Sequence, residues 1–535
     1  MPPVKFLYPL LVALLAVFVL APLEYPGAFQ SHTGLLAVYN LIDLDQHAAQ
    51  FFAWTPTVGR AFDLFRGEGA LPYWVAELFH LFGFSYLSAI KLVYAVAWLA
   101  SGWAMYALAR KFFSAASALL AATIYVYLPY HIATVYVRGA FAESVAWAVM
   151  PVALLAVWHF AIRNSQFAFR YSLAPVLAFA ALFLTQPGIA IGFAPVALGV
   201  VVALQGRHAF RVALIGIGGG LVLGALLALP ALVRNGAAIA PAGFSAHFVL
   251  PFQLFAAQWG FGASTGSYLD QFPLQLGVVP VGLAIIAVAL AARTHDANVR
   301  RALSVFLGVA GVAVVLTFEI VAPVWKVLGL LIAAPWQLLA FAGFALALVA
   351  GCALEFDARL KQPAMLAFFV ALPVVASYGY LTPRFFESAP TRPPLAVFGD
   401  EEIALWDYRI VGPLRHGATL RVQLTWQALR APQTDYTIFV HARHEDGKTY
   451  AHDDSKPVGG ALPTNKWLLG QVVTDTHTIQ IDVDGPTEGY QLELGLYDAA
   501  TGQRLRTRTG AEHVAVPRPG DPEPILSEWL DPKKK

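Results

Sequence analysis

Hydrophobic positions come in long unbroken runs before residue 381 and in short alternating stretches after it. The runs lie at 6–23, 87–109, 115–128, 140–161, 173–184, 188–204, 212–233, 274–291, 303–321, 335–353 and 365–380. Each is near the roughly 20 apolar residues that an α-helix needs to cross a bilayer, the shorter ones being helped by flanking aromatics or by neighbours. The pattern predicts an all-α polytopic membrane core of about eleven transmembrane helices over 1–383. The first run follows Lys5 and has no small-x-small cleavage signal before Glu24, so it is expected to stay as a helix. Further on, 404–411, 420–426, 436–443, 472–483, 490–497 and 504–508 alternate with period two, between turn signals at Asp446-Gly447, Asp484-Gly485 and Thr501-Gly502. They predict an antiparallel β-sandwich over 401–516, reached by a proline-rich linker at 384–400 and followed by a tail at 517–535.

Composition agrees with a membrane class. The chain of 535 residues is 58% hydrophobic and 13% charged, with a mean hydropathy of +0.61, which excludes an ordinary soluble domain. A net charge of +2 leaves no basic excess to attract nucleic acid. The lone Cys352 excludes an intramolecular disulfide and a Cys-based metal site. Positive residues instead mark alternate loops: Lys5, Arg110 and Lys111, Arg163 and Arg170, Arg207 and Arg211, Arg293, Arg300 and Arg301, then Arg359 and Lys361. By the positive-inside tendency the N-terminus is cytoplasmic, and the loops 24–86, 129–139 and 234–273 and everything after 381 are extracytoplasmic. Arg60, Arg66 and Arg138 are the exceptions.

Two of the extracytoplasmic loops have unusual chemistry. The loop 24–86 sets Asp43, Asp45, His47, Asp63, Arg66, Glu68 and Glu77 among Phe51, Phe52, Trp54, Phe62, Phe65, Tyr73 and Trp74, a mix that suits short helices at the membrane interface. The loop 234–273 is long and aromatic, in the manner of a lid or cavity wall. Asp43 or Asp45, near His47, offers a general base toward a hydroxyl, or a ligand for a divalent cation that neutralises a phosphate leaving group. Two acids and one histidine at this spacing do not define a metal site, and helix capping at an interface is the plain alternative. Arg138 and Glu143 stand between two apolar runs, where each needs the other or a polar cavity. Arg138 could grip a lipid or substrate phosphate through its planar fork, with Tyr130, His131 and Tyr136 lining the opening, or form an internal ion pair with Glu143. Glu24 and Glu319 sit at the same side as interfacial carboxylates. In the sandwich, Leu424, Trp426, Tyr436, Ile438, Val440, Leu492, Leu494 and Leu496 read as core. His441, His444, His452, Asp453, Asp454 and Asn465 lie near turns, where they either build a carbohydrate or cation site or are simply turn residues.

Several stretches carry a resemblance. These are 121–151 (AATIYVYLPYHIATVYVRGAFAESVAWAVMP), 76–94 (AELFHLFGFSYLSAIKLVY), 258–277 (QWGFGASTGSYLDQFPLQLG) and Pro335-Trp336-Gln337 in the core, with FVHARHEDG, HDDSKPVGGALPTNKW and LELGLYD behind it. Together they resemble the bacterial polytopic membrane proteins of the "6-pyruvoyl-tetrahydropterin synthase-related domain" type, which in turn resemble the dolichyl-phosphate-mannose type of glycosyltransferase with the GT-C fold. The resemblance implies a catalytic aspartate in the first external loop, a cavity for a polyprenyl-phosphate sugar and an external acceptor such as an envelope glycan. Nothing in these residues suggests pterin chemistry.

The chain also departs from that pattern. Where family members tend to read Ser-His-Asp-Gly with a following His and Arg, this one has Ser31-His32-Thr33-Gly34, then Ala37 and Asn40. A His-Asn pair is replaced by Gln186-Pro187, and the arginine expected after Pro335-Trp336 is Gln337. Threonine cannot act as a carboxylate base. Two expectations follow: a membrane glycosyltransferase in which Asp43 or Asp45 has taken the role, or a scaffold or accessory subunit of a membrane complex that keeps the fold without transfer activity.

Overall fold

The structure, a computed structural model, describes residues 7–25, 27–29, 31, 33, 35–56, 67–163, 173–235, 244–256, 258–260, 264, 270, 272–291, 296–383, 385–386, 394–399, 402–429, 432–467, 471–507 and 510–516. The expected tail 517–535, most of the linker, and Arg60, Asp63 and Arg66 lie outside them. The chain divides into two compact units, one comprising Met1–Phe29, Asn40–Thr57 and Ala61–Glu387, the other Gln30–Tyr39, Val58–Arg60 and Ser388–Lys535.

The first unit is helical. Its helices are α1 (Leu7–Leu20), α2 (Leu36–Gln46, which begins in the second unit), α3 (Leu71–Leu81), α4 (Tyr86–Ala109), α5 (Ala115–Tyr127), α6 (Pro129–Tyr136), α7 (Phe141–Arg163), α8 (Leu173–Thr185), α9 (Pro187–Gln205), α10 (Ala209–Asn235), α11 (Val278–Ala291), α12 (Ala297–Val315), α13 (Ala322–Leu328), α14 (Leu339–Gly351) and α15 (Pro363–Ser377). Among the described residues nine helical segments are long and apolar enough to span a membrane, and α8 and α11 are apolar helices of 13 and 14 residues. All eleven expected runs are therefore helical. The chain is a multi-pass membrane protein.

Small residues set how closely the helices approach. A Cβ on Gly351 of α14 would stand 2.6 Å from the Ala121 Cβ of α5, and one on Gly343 would meet the Leu128 side chain at 2.2 Å. On the other flank, Gly220 and Gly224 of α10 lie where a Cβ would touch the Cβ atoms of Phe179 and Phe183 on α8, at 2.5 and 2.7 Å. Packing of this kind replaces the hydrophobic drive that is missing between helices in lipid. All 13 residues of α14 are buried, so this helix lies wholly inside the bundle. Two short strands, β1 (Ala28–Phe29) and β2 (Phe385–Phe386), pair antiparallel and join the ends of the unit.

The second unit holds two four-stranded antiparallel sheets. One has β3 (Ala396–Phe398), β4 (Ile403–Val411), β5 (Thr419–Ala428) and β8 (Val472–Gln480) in the order β3-β4-β5-β8. The other has β6 (Tyr436–His444), β7 (Thr449–Ser455), β9 (Tyr490–Asp498) and β10 (Val514–Val516) in the order β10-β9-β6-β7. Alternate residues meet inside: Val422, Leu424 and Trp426 from the first sheet, Ile438, Val440, Leu492, Leu494 and Leu496 from the second. The predicted strand at 504–508 is only a pair of isolated bridges, at Arg504 and Thr507.

His477 ties the sheets together. Its ring is buried, with Nδ1 3.1 Å from Asp453 Oδ2 on β7 and Nε2 2.8 Å from Asp475 Oδ2 on its own strand. Burial alone would lower the His477 value, but the two carboxylates outweigh it and raise it above the ordinary histidine range. Burial likewise opposes the Asp475 charge, but His477 and the amides of Val458 and Thr476 hold that carboxyl below its usual value. Folded His477 binds its proton more tightly than the unfolded chain does, so its stabilisation is complete below about pH 6.5 and is lost as pH rises through the higher folded value. Asp475 contributes fully above about pH 3.9 and fades as pH falls through its lower folded value. In the full-length protein, hydrogen exchange corrected for intrinsic rate should show protection of 449–455 and 472–480 declining as pH is raised from about 6 to 9. His477→Gln should abolish that decline; a flat wild-type profile would show that the bridge does not stabilise the sandwich.

Candidate functional site

The junction of α5, α6 and α7 is built by its sequence punctuation. Pro129 ends α5 and starts α6 at a position where its missing N–H costs nothing. Gly139, at φ 60°, takes the left-handed conformation that lets the chain turn back into α7. The turn brings Arg138 and Glu143 face to face, with Nη1 2.8 Å from Oε1 and Nη2 2.5 Å from Oε2. Arg138 is 6% exposed and Glu143 1%. Arg138 also donates to the Tyr130 hydroxyl at 3.1 Å and lies 4.4 Å from the Trp336 ring centre. Thr134 completes the shell, 3.4 Å from Arg138 Nη1 and 3.5 Å from Glu143 Oε1. The pair is an enclosed, bidentate ion pair.

The three other residues expected beside it also face inward. His131 stacks flat on Trp147 with ring centres 4.2 Å apart, and its Nδ1 lies 2.9 Å from the Tyr125 carbonyl. The Tyr136 hydroxyl donates to the Val19 carbonyl at 2.6 Å. These contacts anchor α6 to α1, α5 and α7.

Asp43 and Asp45, two residues apart on α2, take different partners. Asp43 is buried and accepts from Trp54 Nε1 at 2.7 Å, with His47 Nδ1 3.4 Å from its other oxygen. Asp45 accepts from the Tyr86 hydroxyl at 2.6 Å, and the His80 ring that stacks on Tyr86 stands 3.9 Å from it. Next to it, Glu77 of α3 is buried with Oε2 unpaired; burial first, and then the Asp45 charge, raise its carboxyl above the usual range. Among the described residues no group of three or more His, Cys, Asp or Glu is placed to hold a metal ion. Glu24 and Glu319 are exposed, and Thr33 of the departed motif has its hydroxyl 3.4 Å from that of Ser31.

A narrow cleft with a cavity volume of about 40 Å³, open to the surroundings, lies beside this loop. Phe183 and Leu184 of α8 with Leu227 and Ala228 of α10 form its apolar side; Trp54, Thr55, Glu68 and Trp74 form the other. Trp74 Nε1 is buried there without a partner. The loop is fastened by backbone: Gly69 N–H donates to the Thr185 carbonyl at 2.8 Å, and a Cβ on Gly69 would lie 1.9 Å from the Leu184 carbonyl oxygen. Tyr73 connects the cleft to the helix that carries Glu143. It donates to Glu68 Oε2 at 2.6 Å, and its ring meets Trp54 at 5.4 Å and Phe141 at 4.9 Å. The described lining contains none of Asp43, Asp45, Arg138 and Glu143.

No protein-family model and no curated protein matches the sequence. The structure is similar to that of ArnT from Cupriavidus metallidurans bound to undecaprenyl phosphate, at 15% identity and a TM-score of 0.44, over 71% of this chain and 64% of that one. It is also similar to the archaeal oligosaccharyltransferase AglB from Archaeoglobus fulgidus in complex with an inhibitory peptide and a dolichol-phosphate, at 14% identity and 0.42, over 72% and 56%. A third similar structure is the Archaeoglobus fulgidus oligosaccharyltransferase in complex with Zn and sulfate, at 16% and 0.37, over 70% and 52%. This chain thus spans less than two thirds of the length of each.

The ion pair and the α2 carboxylates stand out in the sequence, whereas Glu68 and Trp74 do not. Their signal was weak, since acids and aromatics are interspersed throughout that loop. Lys91 carries a stronger signal, a single lysine inside an apolar run. It is buried in α4, and its Nζ donates to the carbonyls of Tyr25 and Gly27.

The enclosure of Arg138 gives a direct test. Arg138→Leu leaves the Glu143 carboxylate buried alone and should destabilise the protein by about 3–5 kcal/mol, whereas Arg138→Met with Glu143→Leu should recover most of that loss. Thermal unfolding of the purified protein in detergent reads both. Equal stability of the single and double variants would contradict the pairing.

Proposed function

We propose that this protein is a GT-C-like membrane glycosyltransferase of the cell membrane, transferring a sugar from a polyprenyl-phosphate donor to an extracytoplasmic acceptor. The observation that carries this reading is the two-sided cleft at the first loop. One wall is apolar and belongs to α8 and α10, and on α10 Leu226, Leu229 and Val233 are exposed and in a bilayer meet lipid. The other wall is built by Trp54, Thr55, Glu68 and Trp74, and so brings a carboxylate and a hydroxyl-bearing residue to the cleft. An isoprenoid tail suits the first and a polar headgroup the second. The motif resemblance over 121–151 and 335–337 leads to the same class.

The chemistry needs a base to take the proton of the acceptor hydroxyl as it attacks the anomeric carbon, and donors for the phosphate that departs. Glu68 borders the cleft. Asp43 stands one hydrogen bond behind it, through Trp54, and Asp45 lies further along the same helix. Thr55 is the hydroxyl donor on that wall. Tyr130, His131, Tyr136, Arg138 and Glu143 take a positioning role, holding Phe141 against Tyr73. No step is routed through a cation, because the α2 carboxylates do not converge.

A second reading, a catalytically silent scaffold or accessory subunit of a membrane complex, is favoured by one observation. Arg138 spends its charge on Glu143, which leaves the phosphate without an arginine partner at this junction.

Turnover of polyprenyl-phosphate sugars by the purified protein in lipid nanodiscs separates the two. The transferase reading expects wild-type release of polyprenyl phosphate, a fall of about 10²–10⁴-fold in Glu68→Gln if it is the base, and a comparable fall in Asp43→Asn or Asp45→Ala if the role lies on α2. Absence of turnover across glucose, mannose, aminoarabinose and N-acetylglucosamine donors would favour the scaffold.

A further inference from the structure

The β6–β7 hairpin of the second unit sets two histidines opposite each other on the outer face of its sheet. Val440 and Ala442 point into the core, so His441 between them points out, and its register partner on β7 is His452. Partners in register share a face, and the two imidazoles lie side by side with ring centres 6.0 Å apart. The His452 ring is exposed and makes no hydrogen bond or ion pair among the described residues. His441 Nε2 donates to Asp454 Oδ1 at 2.7 Å, which fixes the tautomer and leaves the Nδ1 lone pair unspent. On the opposite flank Glu493 of β9 is also in register with His441, but it is already matched by Arg443 and His513, each at 3.6 Å.

We propose that His441 and His452 form a two-histidine site for a divalent transition metal of the Cu²⁺ or Zn²⁺ class. A metal held by two imidazole nitrogens at about 2.0–2.1 Å puts the ring centres roughly 5–6 Å apart, so the pair closes on an ion by turning its rings, with no strand moving. Asp454 stands where the carboxylate behind a metal-bound histidine stands, holding the ring by its other nitrogen. Imidazole selects copper, zinc and nickel, whereas calcium and magnesium take oxygen ligands. Among the described residues no third protein donor converges with the pair, so water completes the shell. β7 is the edge strand of its sheet, and the ion gives it a second tie besides the Asp453–His477 bridge. The site lies wholly in the second unit and is independent of any transfer chemistry.

The test titrates Cu²⁺ into the full-length protein, purified in detergent without a histidine tag, and counts the bound imidazoles by pulsed electron paramagnetic resonance. In wild type the tightest site should carry two imidazoles. His441→Gln and His452→Gln should each weaken that site by at least about tenfold, because the second ring binds at high effective concentration once the first has bound, and each should lower the count to one. Asp454→Asn should weaken it by about 10–100-fold while both imidazoles stay bound, a result that a direct carboxylate ligand or a mere surface charge does not give. A wild-type affinity that survives both histidine substitutions, or a single imidazole on the metal in wild type, would overturn the site.

Discussion

A charge buried in an apolar surround must be neutralised where it stands, and the first unit is arranged around one place where that happens. Arg138 and Glu143 are five residues apart, and only a tight reversal lets both their forks meet. The reversal needs a helix that stops at Tyr136, a glycine that can turn, and a helix that restarts at Phe141. The residues left over at the turn then become struts: Tyr136 reaches α1, His131 lies on Trp147, and Trp336 covers the guanidinium from the segment before α14. Buried ion pairs seldom add much net stability over apolar packing. What this one adds is a fixed geometry for the helix ends around it.

That geometry is passed on by aromatic rings. Phe141 opens α7, Tyr73 packs against it, and Trp54 packs against Tyr73 while donating to Asp43. Each contact is modest, on the order of a kcal/mol. Together they set the polar wall of the cleft from the rigid part of the bundle, and the Gly69–Thr185 backbone bond fixes its other edge. Glu68 therefore sits at a carboxylate position held from two sides, through Tyr73 and through its own neighbour in the chain.

Helices were plain in the sequence because apolar runs of membrane length have few other uses, and the main sandwich strands because their alternation is strict. Strand β7 was hidden by its composition. His452, Asp453 and Asp454 read as turn chemistry, yet Asp453 points in toward the buried His477, an ion pair between strands of different sheets. β3 and β10, of three residues each, are too short to show a period. At the candidate site, the sequence located Arg138 and Glu143 and kept open whether they pair or face a cavity; their pairing is a matter of turn geometry that spacing alone does not decide. The cleft was beyond reach for another reason. Its walls join residues near 54, 68, 184 and 227, and no local pattern relates those four stretches.

The complete burial of α14 bears on how the protein comes to exist. Its partner segment, Ala115–Tyr136, is enclosed from Ala116 onward, yet more than two hundred residues separate the two in the chain. During synthesis the earlier segment enters the bilayer long before the later one is made. Its polar groups, Thr123, His131 and Thr134 among them, then face lipid or some temporary cover. Closure of the bundle is thus a late event, and the interval before it is when an insertion chaperone or a protease has access to surfaces that the finished protein never shows.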